Sequence, residues 1–326
     1  MPRRVGRKDR WSRFLQRRKN DLIFGLAVAG LWFFRALPQA FAFRLARWLG
    51  RISYHLLSRE RKRALEHLRI AFPSEMSERR RRQIARRSFE HLALNAVELA
   101  QGRRIRSQLD ALVRVVGQEH LDNALSLGQG VLWITGHVGN WELLAWYWAH
   151  KGYKLRVVAR EVYDARLNRL LMRFREEAGV PVILRDSPSA GREILKALKR
   201  KECLAMLIDQ DTRVKGVMAD FFGRKANTPA GPALLAVRQA VPVVAGFIHR
   251  ISDCKHEIVI SPPVEVIRTG DLEEDVRLNT ERFNRILEGY IRAYPEQWVW
   301  MHRRWRRQKP YQAAGGRGAR RFSVTI

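Results

Sequence analysis

Residues 131–150 read VLWITGHVGNWELLAWYWAH. The first five form a short apolar run rich in β-branched residues, the signal of a buried strand. Gly136 and Gly139 flank His137 and mark a turn. Asn140 is a good helix N-cap, and the pattern over 141–151 predicts the helix it would cap. Outward from this strand–turn–helix unit the same alternation repeats. Strands are expected at 155–159, 181–184, 203–208, 241–248 and 256–267, with helices at 164–178, 188–200, 229–240 and 272–293. The expected fold class is α/β: an αβα sandwich with a mainly parallel central sheet. In such folds chemistry gathers at the carboxyl ends of the strands.

His137 and Glu142 stand five residues apart. On one continuous helix they would point about 140° apart at 3.6 residues per turn. A helix that starts near Asn140 changes this, with His137 in the turn and Glu142 in the first helical turn. There the helix N-terminus favours an ionised Glu142, and a carboxylate beside an imidazole fixes its tautomer and makes the other nitrogen a better base. By spacing alone, the pair could equally be two polar residues at a helix start.

The net charge is +30, with 50 arginines and only 12 lysines. It is uneven: residues 1–19 carry +8, 59–87 carry +7 and 301–326 carry +8. Basic blocks flanking an ordinary domain suit anionic polymers or anionic membrane surfaces. Residues 22–34 (LIFGLAVAGLWFF) are uncharged and mostly apolar, Arg35 interrupts, and 36–43 are apolar again. Thirteen helical residues span only about 20 Å of a hydrocarbon core of about 30 Å, whereas 22–43 reaches membrane length. A spanning or re-entrant anchor, an interfacial helix pair and a buried helix all remain open. A secretory signal is a poor reading, because no small-residue cleavage site follows the run. The basic block before it places residues 1–20 on the cytoplasmic side. Residues 59–101 read as helices, with Ser77 as an N-cap. Two cysteines, Cys203 and Cys254, make no disulfide framework, and no Cys/His cluster has zinc spacing, so no metal or cofactor is expected.

The wording GHVGNWELL, an H-x-x-x-x-E motif after a strand, resembles the late acyltransferases of lipid A biosynthesis, the lauroyl/myristoyl transferase family within the glycerolipid acyltransferase superfamily. The resemblance covers roughly residues 20–307. It includes His67 to Pro73 (HLRIAFP), Arg160 at the end of the second strand, Leu167 and Asn168 through Arg175 to Gly179, and Asp209-Gln210-Asp211. It continues through Phe221-Phe222-Gly223, Thr228-Pro229-Ala230-Gly231 and the closing PEQWVWMHRRW of 295–305. The division this implies is a basic N-terminus and anchor (1–50), a helical segment (51–110), an acyltransferase domain (111–307) and a flexible basic tail (308–326).

Acyl transfer from a thioester on acyl carrier protein to a lipid hydroxyl is what the resemblance implies. His137 would be the general base and Glu142 would orient it, with no metal and no Ser or Cys nucleophile. Oxyanion donors would be backbone N–H groups near Gly139–Trp141, or Arg160. Asn140, Arg160, Arg175, Asp209, Gln210, Thr228, Gly231, Arg303 and Arg304 are expected to bind substrate, and Phe221 and Phe222 to line an acyl pocket. Several carry a second reading. Arg160 and Arg175 could be surface charges. Asp209 could cap an element, or act as a second acid near His137, because adjacent parallel strand ends converge. Phe221 and Phe222 could simply pack. Thr228 and Pro229 could be the N-cap and first residue of the 229–240 helix, and the 295–305 segment could be packing rather than a membrane or lipid-phosphate contact. The implied partners are acyl carrier protein, an anionic lipid acceptor and the membrane, at the cytoplasmic face of a bacterial inner membrane. Family members acting on other lipids, such as mannosylated phosphoinositides, are not separated by these motifs. A basic nucleic-acid-binding protein and an inactive membrane scaffold are the rivals from other classes; no nucleic-acid-binding motif appears.

Overall fold

The computed structural model describes residues 7–162, 164–211 and 216–306. The chain begins with α1 (Arg7–Ala36), α2 (Gln39–Leu56), α3 (Ser58–Ala71), α4 (Glu78–Ala100) and the short α5 (Gly102–Arg106) and α6 (Leu109–Leu112). Then come β1 (Val113–Val116), α7 (Gln118–Ser126), β2 (Val131–Thr135), α8 (Trp141–His150), β3 (Leu155–Ala159), α9 (Ala165–Glu177), β4 (Val182–Leu184), α10 (Ala190–Lys199) and β5 (Cys203–Leu207). The rest is β6 (Gly216–Phe221), β7 (Arg224–Pro229), α11 (Gly231–Gln239), β8 (Val243–Ser252), β9 (Lys255–Ile260), α12 (Leu272–Ala293) and a 3₁₀ turn at Pro295–Gln297.

Seven strands form one sheet in the order β1-β9-β8-β2-β5-β3-β4. Every neighbouring pair is parallel except the β8/β9 hairpin. The mainly parallel α/β sheet expected from the sequence is present. Alternate residues of β2 feed two separate cores. Leu132 and Ile134 join a cluster with Leu68, Ile84, Phe89, Phe283 and Leu287, while Val131 and Trp133 join one with Leu121, Leu143, Trp146 and Trp148. Side chains alternate between the faces of a strand, so helices cover both faces, and β2 is buried along its whole length.

β6 and β7 form a separate antiparallel hairpin beside α12. It overturns one expectation: Thr228 pairs with Val217 within β7, Pro229 ends that strand, and α11 starts at Gly231 with Pro232 in its first turn. Ser77 does cap α4, accepting the N–H of Arg80.

At the N-terminus, α2 packs along α4, with Ala42, Phe43, Ala46, Leu94 and Val97 buried between them. No helix among the described residues is long and apolar enough to cross a membrane. Residues 22–43 do not form one continuous helix: α1 ends at Ala36, and Pro38 stands at the N-cap of α2. Both helices nonetheless leave large apolar side chains in the open, among them Leu22, Leu26, Trp32, Phe33, Phe41 and Trp48. The tail expected at 308–326 lies outside the described residues.

Candidate active site

β2 and β5 are parallel neighbours, and Thr135 is in register with Leu207. Two residues beyond that pair stand His137 and Asp209. The carboxylate of Asp209 accepts His137 Nδ1–H at Oδ1 (2.7 Å), and at Oδ2 it accepts the His137 backbone N–H (2.7 Å) and Trp298 Nε1–H (2.8 Å). Asp209 is 1% exposed. Burial resists its ionisation, but the charge and hydrogen bonds of His137 and the Trp298 indole outweigh burial and hold its carboxyl well below the usual carboxylate range. An ionised Asp209 fixes the proton on Nδ1 and leaves the Nε2 lone pair outward, 3.1 Å from Gln210 Nε2. The Trp141 ring packs against the imidazole at 4.8 Å, edge to face.

The turn that carries His137 is pinned at every residue. Gly136 is buried, and a Cβ there would stand 2.7 Å from Leu287 and 3.3 Å from Asp209. Val138 bridges to Trp298. Gly139 adopts φ +59°, and a Cβ there would lie 2.1 Å from the carbonyl oxygen of Ile248, so only glycine fits. Its N–H donates to Gln297 O (3.0 Å), and its carbonyl accepts from Asn95 Nδ2 (2.6 Å). Asn140 caps α8 through Leu143 N–H and donates Nδ2–H to Glu98 (2.7 Å).

Behind the turn lies a buried ionic cluster that the sequence reading missed. Glu98 of α4 is fully buried and accepts from Arg250 at 2.6 and 2.7 Å, from His256 at 2.8 Å and from Asn140. Arg250 also donates to Asn95, and its backbone exchanges hydrogen bonds with Gln297. Burial works against the charge on Glu98, but His256 and Arg250 outweigh it and keep the carboxyl well below its ordinary range. Arg250 and His256 face each other across the β8/β9 hairpin; that pairing was within reach of the sequence, whereas Glu98, about 150 residues away, was not.

Glu142 is corrected in role. Its carboxylate does not hold His137; it is forked by Arg175 of α9, Nε to Oε2 at 3.0 Å and Nη2 to Oε1 at 2.6 Å. Both side chains are largely shielded from solvent. Arg175 is therefore no free surface charge. Asp209, at the neighbouring strand end, is the carboxylate that holds His137 Nδ1.

Other expectations scatter. Arg160 directly follows β3, but it is half exposed and faces Asp186 at 3.6 Å. Asn140 is buried and serves the helix cap and Glu98 rather than an open surface. Arg304 is buried completely, donates to Asn227 O and Thr228 Oγ1 (both 2.7 Å) and stacks over Phe221; burial pushes its guanidinium down to about 10. It cannot meet a lipid phosphate there, and Thr228 is occupied holding it. Trp298, Trp300 and Trp305 are buried too, so the 295–305 segment is core. Phe221 and Phe222 belong to that aromatic cluster, touching Trp298, Trp305, Trp300 and Phe72. Their faces are taken up by packing instead of lining an acyl pocket. Arg303 is exposed, and Gly231 opens α11 with free space around its Cα.

The chain is similar to known proteins along most of its length. The family described as bacterial lipid A biosynthesis acyltransferase matches residues 14–307. A phosphatidylinositol mannoside acyltransferase of Mycobacterium tuberculosis is 25% identical over 214 residues, which is 62% of this chain and 62% of that protein, so the match spans less than two thirds of its length. The lipid A biosynthesis lauroyltransferase of Escherichia coli K12 is 25% identical over 86% of this chain and 90% of its own, and the palmitoleoyltransferase of the same strain is 26% identical over 87% and 90%. The family match runs through the His137 turn, the Asp209 strand end and the Trp298 segment that joins them, and the chain belongs to the bacterial lipid A biosynthesis acyltransferase family.

Proposed function

We propose that this chain is an acyltransferase that moves a fatty acyl group from a thioester on acyl carrier protein to a hydroxyl of a lipid A precursor or related glycolipid. The observation that carries the reading is the His137–Asp209 pair, with Nε2 on the open side of a buried, rigid turn, in a chain of this family.

In the reaction the acceptor hydroxyl lies against His137 Nε2, in place of the Gln210 amide. Its oxygen attacks the thioester carbonyl carbon as Nε2 takes its proton. Asp209, already ionised, stabilises the imidazolium that forms. The tetrahedral intermediate collapses with cleavage of the C–S bond, and the imidazolium returns the proton to the departing thiolate. The ester and the free thiol are the products. The thioester is already activated, so no protein nucleophile is required. The oxyanion needs donors. The Gly139 N–H is committed to Gln297 O and Arg160 lies at the surface beside Asp186. The first-turn N–H groups of α8 at Trp141 and Glu142, at the positive end of the helix, and the Gln210 amide fill that role.

The enzyme works at the membrane. The open apolar side chains of α1 and α2, beside arginine-rich helices, suit an interfacial seat on an anionic bilayer, on the cytoplasmic side. A second acceptor class is favoured by one finding: the mycobacterial relative is named for a phosphatidylinositol mannoside.

Mass spectrometry of total lipids with and without the enzyme tests both readings. An added mass of one acyl chain on a lipid A precursor supports the first, and on a mannosylated phosphoinositide the second. A His137→Ala variant that folds and still transfers at the wild-type rate refutes the base.

A further inference from the structure

α9 carries Leu167, Leu170, Leu171 and Phe174 at the i, i+3, i+4, i+7 spacing of one helix face. A face of that kind is ordinarily buried, yet no residue of α9 is. It looks across an open groove of about 370 Å³ at α1, α2 and α4, whose walls include Leu31, Phe34 and Val97 and contain no charged residue. Exposed contiguous apolar surface in a folded protein marks a binding site.

The chemistry at the rim narrows the occupant. The groove continues into two clefts that share Phe174 and Ala100 with it. Around them stand Arg35, Arg103, Arg104, Arg169 and Arg173, all exposed. Among the described residues, none of these five has a carboxylate within ion-pair distance. The acid in these clefts, Glu177, is engaged by Arg106 at 3.4 Å. An apolar trough edged by unneutralised guanidinium groups is complementary to a molecule with hydrocarbon at one end and phosphate at the other. The mouth is apolar as well: Leu26 and Leu49 line the groove and are themselves exposed, and Trp32 and Trp48 are exposed on the same two helices. A ligand can slide in sideways from a bilayer without crossing water.

The groove is joined to the candidate active site. Arg175 follows Phe174 on α9 and forks onto Glu142, in the first turn of the helix that follows the His137 turn.

We propose that the α1–α2–α4–α9 groove and its arginine rim bind a phosphorylated, acyl-bearing lipid taken laterally from the bilayer, and that this lipid is the acceptor. The assignment as acceptor rests on the acyl-transfer reading; the binding does not.

The test uses the full chain in nonionic detergent with a phosphatidic acid that carries a photoreactive diazirine on one acyl chain. Labelled peptides are identified by mass spectrometry, with unlabelled phosphatidic acid or diacylglycerol of the same chains as competitor. Expected are cross-links on α9 and α4 within the groove and competition at least tenfold stronger from phosphatidic acid. Arg103→Ala combined with Arg173→Ala, both exposed, should cut labelling about tenfold with the melting temperature unchanged, and Leu171→Trp should block it. Cross-links spread over Leu22, Phe41 and Trp48, insensitive to these variants, would overturn the site in favour of general bilayer contact. Groove labelling competed equally by diacylglycerol would overturn it in favour of an acyl tail alone, such as the donor's. Steady-state transfer gives the acceptor arm: the double arginine variant should raise the acceptor KM at least tenfold with little change in kcat, and an unchanged KM overturns the acceptor assignment. If the wild-type chain transfers no acyl group, the activity reading fails while the labelling result still decides the groove.

Discussion

Replacing Asp209 by Asn keeps size and shape and removes one charge, and the hydrogen-bond pattern decides the consequence. Oδ2 accepts two N–H groups, from the His137 backbone and the Trp298 indole, while Oδ1 accepts one, from His137 Nδ1. An amide has a single acceptor oxygen. If that oxygen takes the place of Oδ2, the NH₂ group faces His137 Nδ1 and can bond only to an unprotonated nitrogen. The ring proton then moves to Nε2, and the base is lost. The flipped amide preserves the tautomer but points NH₂ at two buried donors, at a cost of about 1–3 kcal/mol for each donor left unsatisfied. The wrong tautomer therefore dominates by a few kcal/mol. The imidazolium formed in the reaction also loses its counter-charge. The same change in a Ser-His-Asp hydrolase lowers kcat about ten-thousand-fold, and a loss of about 1,000- to 10,000-fold is expected here, or roughly 4–5.5 kcal/mol at 1.36 kcal/mol per decade. The assay is the initial rate of acyl transfer from an acyl carrier protein thioester to a lipid A precursor in mixed micelles. It should show a fall in kcat with the acceptor KM nearly unchanged, alongside a melting curve confirming the fold. A folded Asp209→Asn variant within tenfold of wild type would refute the placement of the proton on Nδ1 and with it the base mechanism.

Glu142→Gln should impair transfer less than His137→Ala, because it frees Arg175 and leaves the His137–Asp209 pair intact; equal losses in kcat would return Glu142 to the orienting role. Glu98→Ala should destabilise the fold by about 3–5 kcal/mol, the cost of stranding a buried charge partner, as read from denaturant unfolding, since Arg250 and His256 both lose their acceptor. Stability should fall with acid. Burial pushes the His67 imidazole down to about 4, below its unfolded value near 6.5. Its contribution is therefore complete above pH 6.5 and is lost as pH drops toward 4, with a total on the order of 3 kcal/mol at 1.36 kcal/mol per pH unit. A melting temperature unchanged between pH 7 and pH 4.5 would contradict a neutral buried His67. Arg160→Ala should leave the acceptor KM within threefold, as befits a half-exposed residue facing Asp186; a tenfold rise would restore it to the site.

Much of the fold was legible because β2, β5 and β8 are buried on both faces and so appear as continuous apolar runs. β1 is an edge strand with Arg114 and Val116 exposed, so it shows no buried apolar run, and β6 and β7 were hidden by their polar half: Asp220, Arg224, Lys225 and Asn227 break the apolar pattern that marks a strand. His137 and Asp209 could each be placed just past the carboxyl end of a strand, but that their two strands are neighbours could not be read from chain order. β3 follows β2 in sequence, and β5 is inserted between them. The failures were arginines. A run such as Arg303-Arg304 looks equally basic at both positions, and only the tertiary fold sends one side chain to solvent and the other under Phe221 into the core.

The H-x-x-x-x-E spacing acquires a different physical meaning once its two ends are separated. Two carboxylates serve this site, and each has one cationic or potentially cationic partner: Asp209 with His137, Glu142 with Arg175. A Glu142 that took over His137 Nδ1 and let go of Arg175 would leave a buried Asp209 oxygen idle and a guanidinium unpaired beside the site. The division avoids both. It also fixes α9, a helix with no buried residue, to the first turn of α8 through one bidentate ion pair. That pair therefore links the apolar groove to the helix that follows the His137 turn. Glu142→Gln should accordingly do more than lower the rate. With Arg175 unclamped, α9 should exchange its amide hydrogens faster along Leu167–Phe174 while the β2 amides keep their protection. A variant that loses activity with α9 exchange unchanged would show that Glu142 acts on the chemistry and not through the helix.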